Sequence, residues 1–425
     1  MDELTIFLLL FVAVIILIFL YCKQFELFLV VILAINHEVF YLFPKKSGMY
    51  YSDFLFVIMT VLLAIYFMRQ RKLQIWFKKD VILFLFIIFL GILVPYFTSD
   101  QSISLGLRAA RNYFLLLMYF PFNSKPIEQR KFAFWIVGVG VALAALNNIQ
   151  YFIQGTQIFY YQSENELIRE GKVRFLIGDF FTIFAPFVAF GEYLQRKDIK
   201  YLVAAIYMVA TVIIQGQTRA VIIGVLLTPL ILLWLYNFIT FKKSIVLSVL
   251  LVVTLFYIGE ISDKSTFGSL VRVTHDEVVS GEGNWGIRLL GYEYYFSRIS
   301  ESPIIGKGIW NDLFTGDNPE DMKYKKIFLS DLGLTSMIFH FGIIGVFWLI
   351  LLFWRVYALG VRKLGFAVHP MLPAYFIFGI VTCVTLNCFT RSNTIVYLAL
   401  SLALLDQEIR GRNNTESIST GMMDV

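Results

Sequence analysis

Long runs of apolar residues follow one another along most of this chain, and polar residues gather in the stretches between them. A helix needs about 20 apolar residues to cross the hydrocarbon core of a bilayer, so each run has roughly the length of a membrane span. The pattern predicts an all-α polytopic membrane bundle of about thirteen transmembrane helices, and a version with about twelve stays open. The predicted spans lie near residues 4–22, 26–43, 52–68, 81–98, 103–122, 132–153, 176–194, 201–216, 219–237, 245–260, 333–354, 371–388 and 392–405.

One long polar segment, residues 260–331, interrupts these runs. The glycines between Ser280 and Gly286 predict a turn, and residues 287–299 carry the spacing of a short interfacial helix that Pro303 ends. Gly306-Lys307-Gly308 predicts a second tight turn. A segment of this size with its own helix is typical of a functional lid rather than a linker.

Lysine and arginine residues predict the orientation of the bundle, because short cytoplasmic loops are rich in them. The basic clusters fall on one side if the predicted spans hold, so we expect that side and the C-terminus to be cytoplasmic. The segments 154–175 and 260–331 then lie outside, while Lys45 and Lys46 leave the orientation of the N-terminus open. The clusters contain Arg69, Arg71, Lys72, Lys78, Lys79, Lys125, Arg130, Lys131, Arg196, Lys197, Lys200, Lys242, Lys243, Arg355, Arg362 and Lys363.

The composition agrees with a membrane protein, since 58% of the residues are hydrophobic and only 16% are charged. The net charge of +6 is explained by the basic loops, so we predict no nucleic-acid partner. The three cysteines form no recognisable disulfide or metal pattern, and we predict no cofactor and no metal. We expect residues 1–409 to form the transmembrane domain and the polar tail, 410–425, to be disordered.

Three arginines break the expected charge bias, because they precede or begin predicted spans at the outer face. Arg174, Arg219 and Arg391 each oppose the dipole of the helix that follows. Exposed N–H groups at a helix N-terminus bind anions, and a guanidinium can bond two oxygens at once. The three positions therefore predict a site for a diphosphate, although any one of these side chains could instead extend to the lipid headgroups.

Arg108 and Arg111 belong to the same pattern, since they lie about one helical turn apart near the outer end of a predicted span. Charges at that depth usually face a cavity, so we include both as candidate ligands, with extension to the headgroups as the alternative. His340 has no second metal-type residue at helical spacing and fits a core histidine.

Several motifs in the second half of the chain resemble one family. Thr218-Arg219 opens a span, Arg288 lies in the polar segment, and Ser302-Pro303-Ile304-Ile305-Gly306-Lys307-Gly308 is followed by Phe341-Gly342-Ile343-Ile344-Gly345. Over about 174–356 this arrangement resembles the O-antigen ligase and O-antigen polymerase superfamily of bacterial envelope glycosyltransferases. The resemblance implies an enzyme of the bacterial inner membrane that takes a glycan from undecaprenyl diphosphate and joins it to an acceptor glycan, without a metal ion. It also implies a role in polysaccharide biosynthesis beside other assembly proteins.

The resemblance assigns roles to individual residues. Arg219 and Arg288 would hold the diphosphate, and the residue that closes the large loop would be the base. The ligases place a histidine at that position, whereas this chain has Ser330-Asp331, which favours a polymerase and makes Asp331 the candidate base. Deprotonating one acceptor hydroxyl is the task of such a base. Asp331 could otherwise be only an N-cap of the next helix.

Two tyrosines in the predicted loop helix, Tyr292 and Tyr295, offer stacking surfaces for sugar rings, or they pack the loop onto the bundle. An O-antigen ligase acting on a lipid A core remains an alternative function. A flippase for lipid-linked oligosaccharides is an alternative of another class. It should place charged groups near the bilayer midplane on broken helices, whereas this chain concentrates them at one face.

Overall fold

The computed structural model describes most of the chain and is almost entirely helical. The described residues are 3–36, 51–68, 75–153, 168–169, 172–173, 179–216, 219–250, 283–316, 318–319, 327–364, 368–391 and 394–421. Besides its helices, this part of the chain contains one two-residue antiparallel pair, β1 (Ile168–Arg169) with β2 (Lys172–Val173). The predicted all-α class is therefore confirmed for the described residues.

Most helices lie within the predicted apolar runs, although several begin or end at other residues than predicted. They are α1 (Glu3–Lys23), α2 (Phe25–Asn36), α3 (Tyr51–Met68), α4 (Lys78–Ser99), α5 (Ile103–Phe114), α6 (Tyr119–Phe122), α7 (Gln129–Phe152), α8 (Asp179–Arg196), α9 (Ile199–Gly216), α10 (Arg219–Leu235), α11 (Gly283–Ser300), α12 (Leu334–Val356), α13 (Met371–Thr382) and α14 (Ile395–Gly421). Residues 241–250 are also helical. A 3₁₀ turn, Leu115–Met118, joins α5 to α6, and a π-helical stretch, Tyr357–Lys363, follows α12.

Three stretches of the described chain are long and apolar enough to cross a membrane: Lys78–Ser99, Gln129–Phe152 and Leu334–Gly360. The shorter apolar helices are Val12–Lys23, Phe25–Asn36, Asp53–Met68, Ile199–Gln215, Ala220–Leu235 and Met371–Thr382. This set is compatible with a polytopic membrane protein. The larger number of spans stays a prediction.

One predicted local feature is wrong. Gly283 and Gly286 belong to the first turn of α11, so that part of the predicted glycine turn is helical, and α11 begins four residues before the expected start. The helix α14 continues to Gly421, and the disorder of the polar tail stays a prediction.

One end of the bundle collects basic residues from distant loops, and we call it the basic end. Arg355, at the end of α12, pairs with Asp80 in the first turn of α4. Arg410 donates to the Asn123 side chain at 2.8 Å, and the Lys125 ammonium donates to the Cys22 carbonyl at 3.0 Å. The loops that the basic residues predict to lie on one side of the membrane are therefore found at one end of the bundle. Which side of a membrane they face stays a prediction.

The opposite end, which we call the loop end, carries the polar segment that follows α11. This segment docks on α12 at a break in the helix, where Gly342 has φ 61° and ψ −158°. The break removes the bonds that the N–H groups of Ile343 and Ile344 would make within a regular helix. Both groups instead donate to the loop, to the carbonyls of Pro303 at 2.9 Å and Ile304 at 3.2 Å.

The loop returns hydrogen bonds to the carbonyls that the break leaves unpaired. Lys307 N–H donates to Phe339 O at 2.7 Å, and Gly308 N–H donates to His340 O at 3.2 Å. The next amide, that of Ile309, donates at 2.8 Å to Gly91 O on α4. Pro95 lies four residues after Gly91 and has no N–H, so this carbonyl also lacks its helical partner.

Glycines make this close approach possible. Gly306 and Gly308 have positive φ angles of 74° and 78°. A Cβ atom at Gly306 would lie 2.6 Å from Phe339 O, and one at Gly342 would lie 2.6 Å from Gly306 N. The predicted tight turn at 306–308 is therefore confirmed, and it holds the loop in the gap between α4 and α12.

Candidate active site

The connection between α13 and α14, residues 383–391, joins several of the predicted site residues. Leu334 N–H, at the start of α12, donates to Cys383 O at 2.8 Å. Tyr292 on α11 donates its hydroxyl to the next carbonyl, Val384 O, at 2.7 Å. Gly333 has φ 55°, and a side chain there would clash with the Cys383 carbonyl. The loop helix and the start of α12 therefore bond to two successive carbonyl groups of this connection.

Asn387 fixes the second half of this connection. It is 6% exposed, and its amide donates to the Ser336 hydroxyl at 3.0 Å. The side-chain oxygen of Asn387, Oδ1, accepts hydrogen bonds from the backbone N–H groups of Phe389 and Thr390, each at 3.2 Å. Sequence reasoning missed this residue, although a buried amide in an apolar run is unusual enough to have been a signal.

Arg288 and Tyr292 occupy one face of α11, because they are four residues apart. Both side chains are half-buried. Burial raises the pKa of Tyr292, and the charge of Arg288 offsets part of that rise. The Tyr292 hydroxyl therefore keeps its proton at neutral pH and can donate to Val384, which makes Tyr292 a structural link as well as a candidate sugar contact.

Asp331 lies at the end of a 3₁₀ turn, Leu329–Asp331, and its side chain is exposed. Gly333 is the N-cap of α12, and no side chain caps that helix. The alternative that Asp331 is a simple cap is therefore wrong. The neighbouring Leu332 is buried and lies beside Gly291 of α11, so Asp331 is close to the helix that carries Arg288.

Arg391 is exposed at the end of the 383–391 connection, where its backbone carbonyl accepts from Thr394 and Ile395 at the start of α14. Arg219 begins α10, and the placement of its side chain lies outside the described residues. The packing of α10 still shows at which end of the bundle this helix begins. Gly224 of α10 meets Thr382, the last residue of α13, so α10 begins at the same end of the bundle as the 383–391 connection.

We call Arg288, Tyr292, Asp331 and Arg391 the loop-end site. Within the described residues, neither Arg288 nor Arg391 forms a salt bridge, so their charges are not neutralised by a carboxylate there. The site therefore offers two cations for an anion and one exposed carboxylate that can accept a proton. No group of three or more metal-type ligands occurs in the described part of the chain.

The described arginines Arg108 and Arg111 lie on α5 rather than at this site. Arg111 pairs with Asp53 of α3 at 2.8 Å, which neutralises its charge. Arg108 is exposed on the same helix. The N-terminal half of this helix contacts the segment 309–311, where the Asn311 side chain donates to Leu105 O at 3.0 Å. Arg174 lies outside the described residues.

Tyr295 is fully buried, so the interpretation of its ring as a sugar platform is wrong. Its ring packs edge-on against Phe339 of α12, with the ring centroids 5.2 Å apart. Trp310 and Leu332 belong to the same small apolar cluster. Tyr295 therefore attaches α11 to the bundle, which was the alternative interpretation of this residue.

His340 is 9% exposed and its Nδ1 atom lies 3.2 Å from the Tyr113 hydroxyl. This burial agrees with the prediction of a core histidine. The side chain is therefore enclosed beside the break in α12 rather than exposed with Asp331.

No protein-family model matches the chain, and no curated protein matches it.

Proposed function

We propose that this protein is a polytopic membrane glycosyltransferase of the polymerase type. It transfers a glycan from undecaprenyl diphosphate to a sugar hydroxyl of an acceptor glycan at the outer face of the bacterial inner membrane. The observation that carries the proposal is the meeting of the segments that bear Arg288, Asp331 and Arg391 at residues 383–391, with α10 beginning at Arg219 at the same end. In this orientation the basic end is cytoplasmic.

In the proposed reaction, the arginines bind the diphosphate and Asp331 accepts the proton of the acceptor hydroxyl. The hydroxyl oxygen forms a bond to the anomeric carbon as the bond to the diphosphate oxygen breaks. Negative charge builds on the leaving diphosphate, and positioned guanidinium groups stabilise it. Two arginines suit this role better than two lysines, since each guanidinium can bond two phosphate oxygens in a fixed geometry.

The ligase remains the nearest alternative. A ligase of the family would use a histidine at the position of Asp331, and His340 does not replace it, because that ring is enclosed beside Tyr113. A flippase is the alternative of another class, and the broken helix α12 is the feature that favours it. The break at Gly342 is, however, filled by residues 303–308, whose backbone carbonyl and N–H groups provide the hydrogen bonds there.

A reconstituted assay tests the proposal. The purified protein is incorporated into vesicles with an oligosaccharide linked to undecaprenyl diphosphate, and the products are separated by size. A ladder that grows by whole oligosaccharide units is the expected result. Transfer only to an added lipid A core would identify a ligase, whereas movement of the unchanged substrate between leaflets would identify a flippase.

A further inference from the structure

A second site lies beside α4, about ten residues along α11 from Arg288. A cleft of about 620 Å³ separates the outer part of α4 from the end of α11 and the turn at Gly306 to Trp310. This volume is within the range of small-molecule pockets, about 300–1,000 Å³. Since α11 rises about 1.5 Å per residue, Arg298 lies roughly 15 Å from Arg288, so the cleft is separate from the loop-end site.

One wall of the cleft is apolar and belongs to a helix long enough to cross a membrane. Leu90, Leu93 and Phe97 line it, and they continue a stripe along α4 that begins at Leu83 and Phe86. These five residues are spaced by three or four positions, so they share one helical face. The stripe is about 21 Å long from its first to its last residue, which exceeds the depth of one leaflet, about 15 Å.

The other wall carries two cations. Arg298 and Lys307 both line the cleft, and both contact the carboxylate of Glu301. Among the described residues that line this wall, two positive charges therefore share one negative charge, which leaves those residues with a net charge of +1. The Arg298–Glu301 contact is long, at 3.4 Å, and surface ion pairs of this kind contribute little, so an anion in the cleft can replace Glu301 as the partner of the guanidinium.

Hydroxyl groups and a fixed arginine complete the polar wall. Ser302, Thr98 and Ser99 line the same cleft. The Thr98 hydroxyl donates to Val94 O at 2.8 Å, so the hydroxyls of Ser302 and Ser99 are the ones that can donate to phosphate oxygens. The Arg298 guanidinium lies 5.6 Å from the centre of the Tyr294 ring, whose hydroxyl donates to Pro319 O at 3.1 Å. This stacking holds the guanidinium at the mouth of the cleft.

We propose that this cleft binds an anionic phospholipid of the surrounding bilayer, with its phosphate between Arg298 and Lys307 and an acyl chain along the α4 stripe. A phosphate diester supplies the negative charge that the polar wall lacks, and an acyl chain covers the apolar wall. The inference rests on the membrane placement of α4 and not on the proposed transfer reaction. The lipid would also cover the junction between α4 and the docked loop, where Ile309 meets Gly91.

Lipid titration tests the proposal. The purified chain in detergent is titrated with phosphatidylglycerol or phosphatidylcholine, and one-to-one complexes are counted by native mass spectrometry. We expect tighter binding of phosphatidylglycerol. Each basic residue near an anionic lipid is worth about fivefold in affinity, so the double variant Arg298→Gln/Lys307→Gln should bind about 25-fold more weakly. The matched control is Lys131→Gln, which removes another lysine paired with a glutamate, at the basic end, and should change nothing.

A third variant gives a change of the opposite sign. Glu301→Gln removes the carboxylate that competes with the phosphate, so affinity for phosphatidylglycerol should rise about fivefold. A general structural role for these residues would not produce this increase. Equal binding of the two lipids would overturn the proposal, as would unchanged affinity in the double variant at an unchanged melting temperature. Much tighter binding of undecaprenyl phosphate, lost in the same double variant, would instead assign the cleft to the isoprenoid carrier and also overturn it.

Discussion

The backbone N–H of Lys307 donates to the carbonyl of Phe339 at 2.7 Å, at the point where Gly342 interrupts α12. A regular helix would have used that carbonyl for the N–H of Ile343. The backbone of the loop after α11 therefore supplies the hydrogen bonds that α12 loses at its break. Unpaired backbone groups are costly in lipid, so the docked loop and the broken helix stabilise each other.

The first prediction follows from this exchange. Gly342→Ala should destabilise the loop end, because alanine disfavours φ 61° with ψ −158° and its Cβ would lie 2.6 Å from Gly306 N. Backbone strain of this kind costs roughly 1–3 kcal/mol, apart from the clash. The measurement is the melting temperature in detergent, together with amide hydrogen exchange of residues 303–309, which should become faster.

The matched control is Gly138→Ala in α7. A Cβ there meets no atom within 4 Å, so the change should leave the melting temperature unchanged or raise it slightly. If Gly342→Ala behaved like this control, the glycine would not be required at the break in α12.

A second prediction concerns Arg288. Arg288→Ala should abolish glycan transfer, because it removes a cation that binds the diphosphate. The protein should remain folded in the membrane, because the half-buried side chain forms no salt bridge with a described residue. Arg288→Lys should recover little activity, since an ammonium loses the two-point contact with phosphate. The vesicle assay measures both variants, and Arg219→Ala should behave in the same way. Near-normal transfer by Arg288→Ala would remove this residue from the diphosphate site.

The third prediction tests which end of the bundle faces outward. The exposed side chains of Ser300 at the loop end and Lys131 at the basic end are suitable for replacement by cysteine. In a chain whose exposed Cys22 and half-buried Cys383 are changed to alanine, an impermeant thiol reagent should label Ser300→Cys in intact cells. Lys131→Cys should react only after the membrane is opened. The reverse pattern of labelling would contradict the proposed orientation.

The sequence predicted the helices and the turn at 306–308 well, because both depend on local patterns. Apolar runs define helices, and Gly306-Lys307-Gly308 needs backbone angles that favour glycine. It also placed Arg288 and Asp331 in one polar segment. Sequence spacing could not show that Tyr292 bonds Val384 O, 92 residues away, and that Leu334 bonds the neighbouring Cys383 O, since such contacts arise only on packing.

The predicted arginines show the same limit. Arg108 and Arg111 have the spacing of a paired site, yet the partner of Arg111 is Asp53, on a helix earlier in the chain. Tyr292 and Tyr295 are close in sequence, but Tyr295 is fully buried against Phe339, whereas Tyr292 is half-buried. Charge and aromatic character can be recognised in a sequence. The partner that uses them depends on the fold.

The last prediction tests whether Asp331 is the base. Asp331→Asn keeps the size and shape of the side chain but removes the group that accepts a proton. If Asp331 is the base, transfer should fall by roughly 10²–10⁴, the usual contribution of general-base catalysis, while the melting temperature stays the same. Loss of a helix cap does not complicate the result, because Gly333 is the N-cap of α12 and Asp331 makes no capping bond there.

Glu293→Gln is the matched control, since Glu293 is an exposed carboxylate on α11, one residue after Tyr292. It should keep near-normal transfer. Glu301 is less suitable, because its carboxylate pairs with Lys307, and that hydrogen bond lowers the pKa of Glu301. Full activity of Asp331→Asn together with a large loss in Glu293→Gln would move the base to α11. Full activity of both variants would indicate that the diphosphate held by the arginines accepts the proton itself.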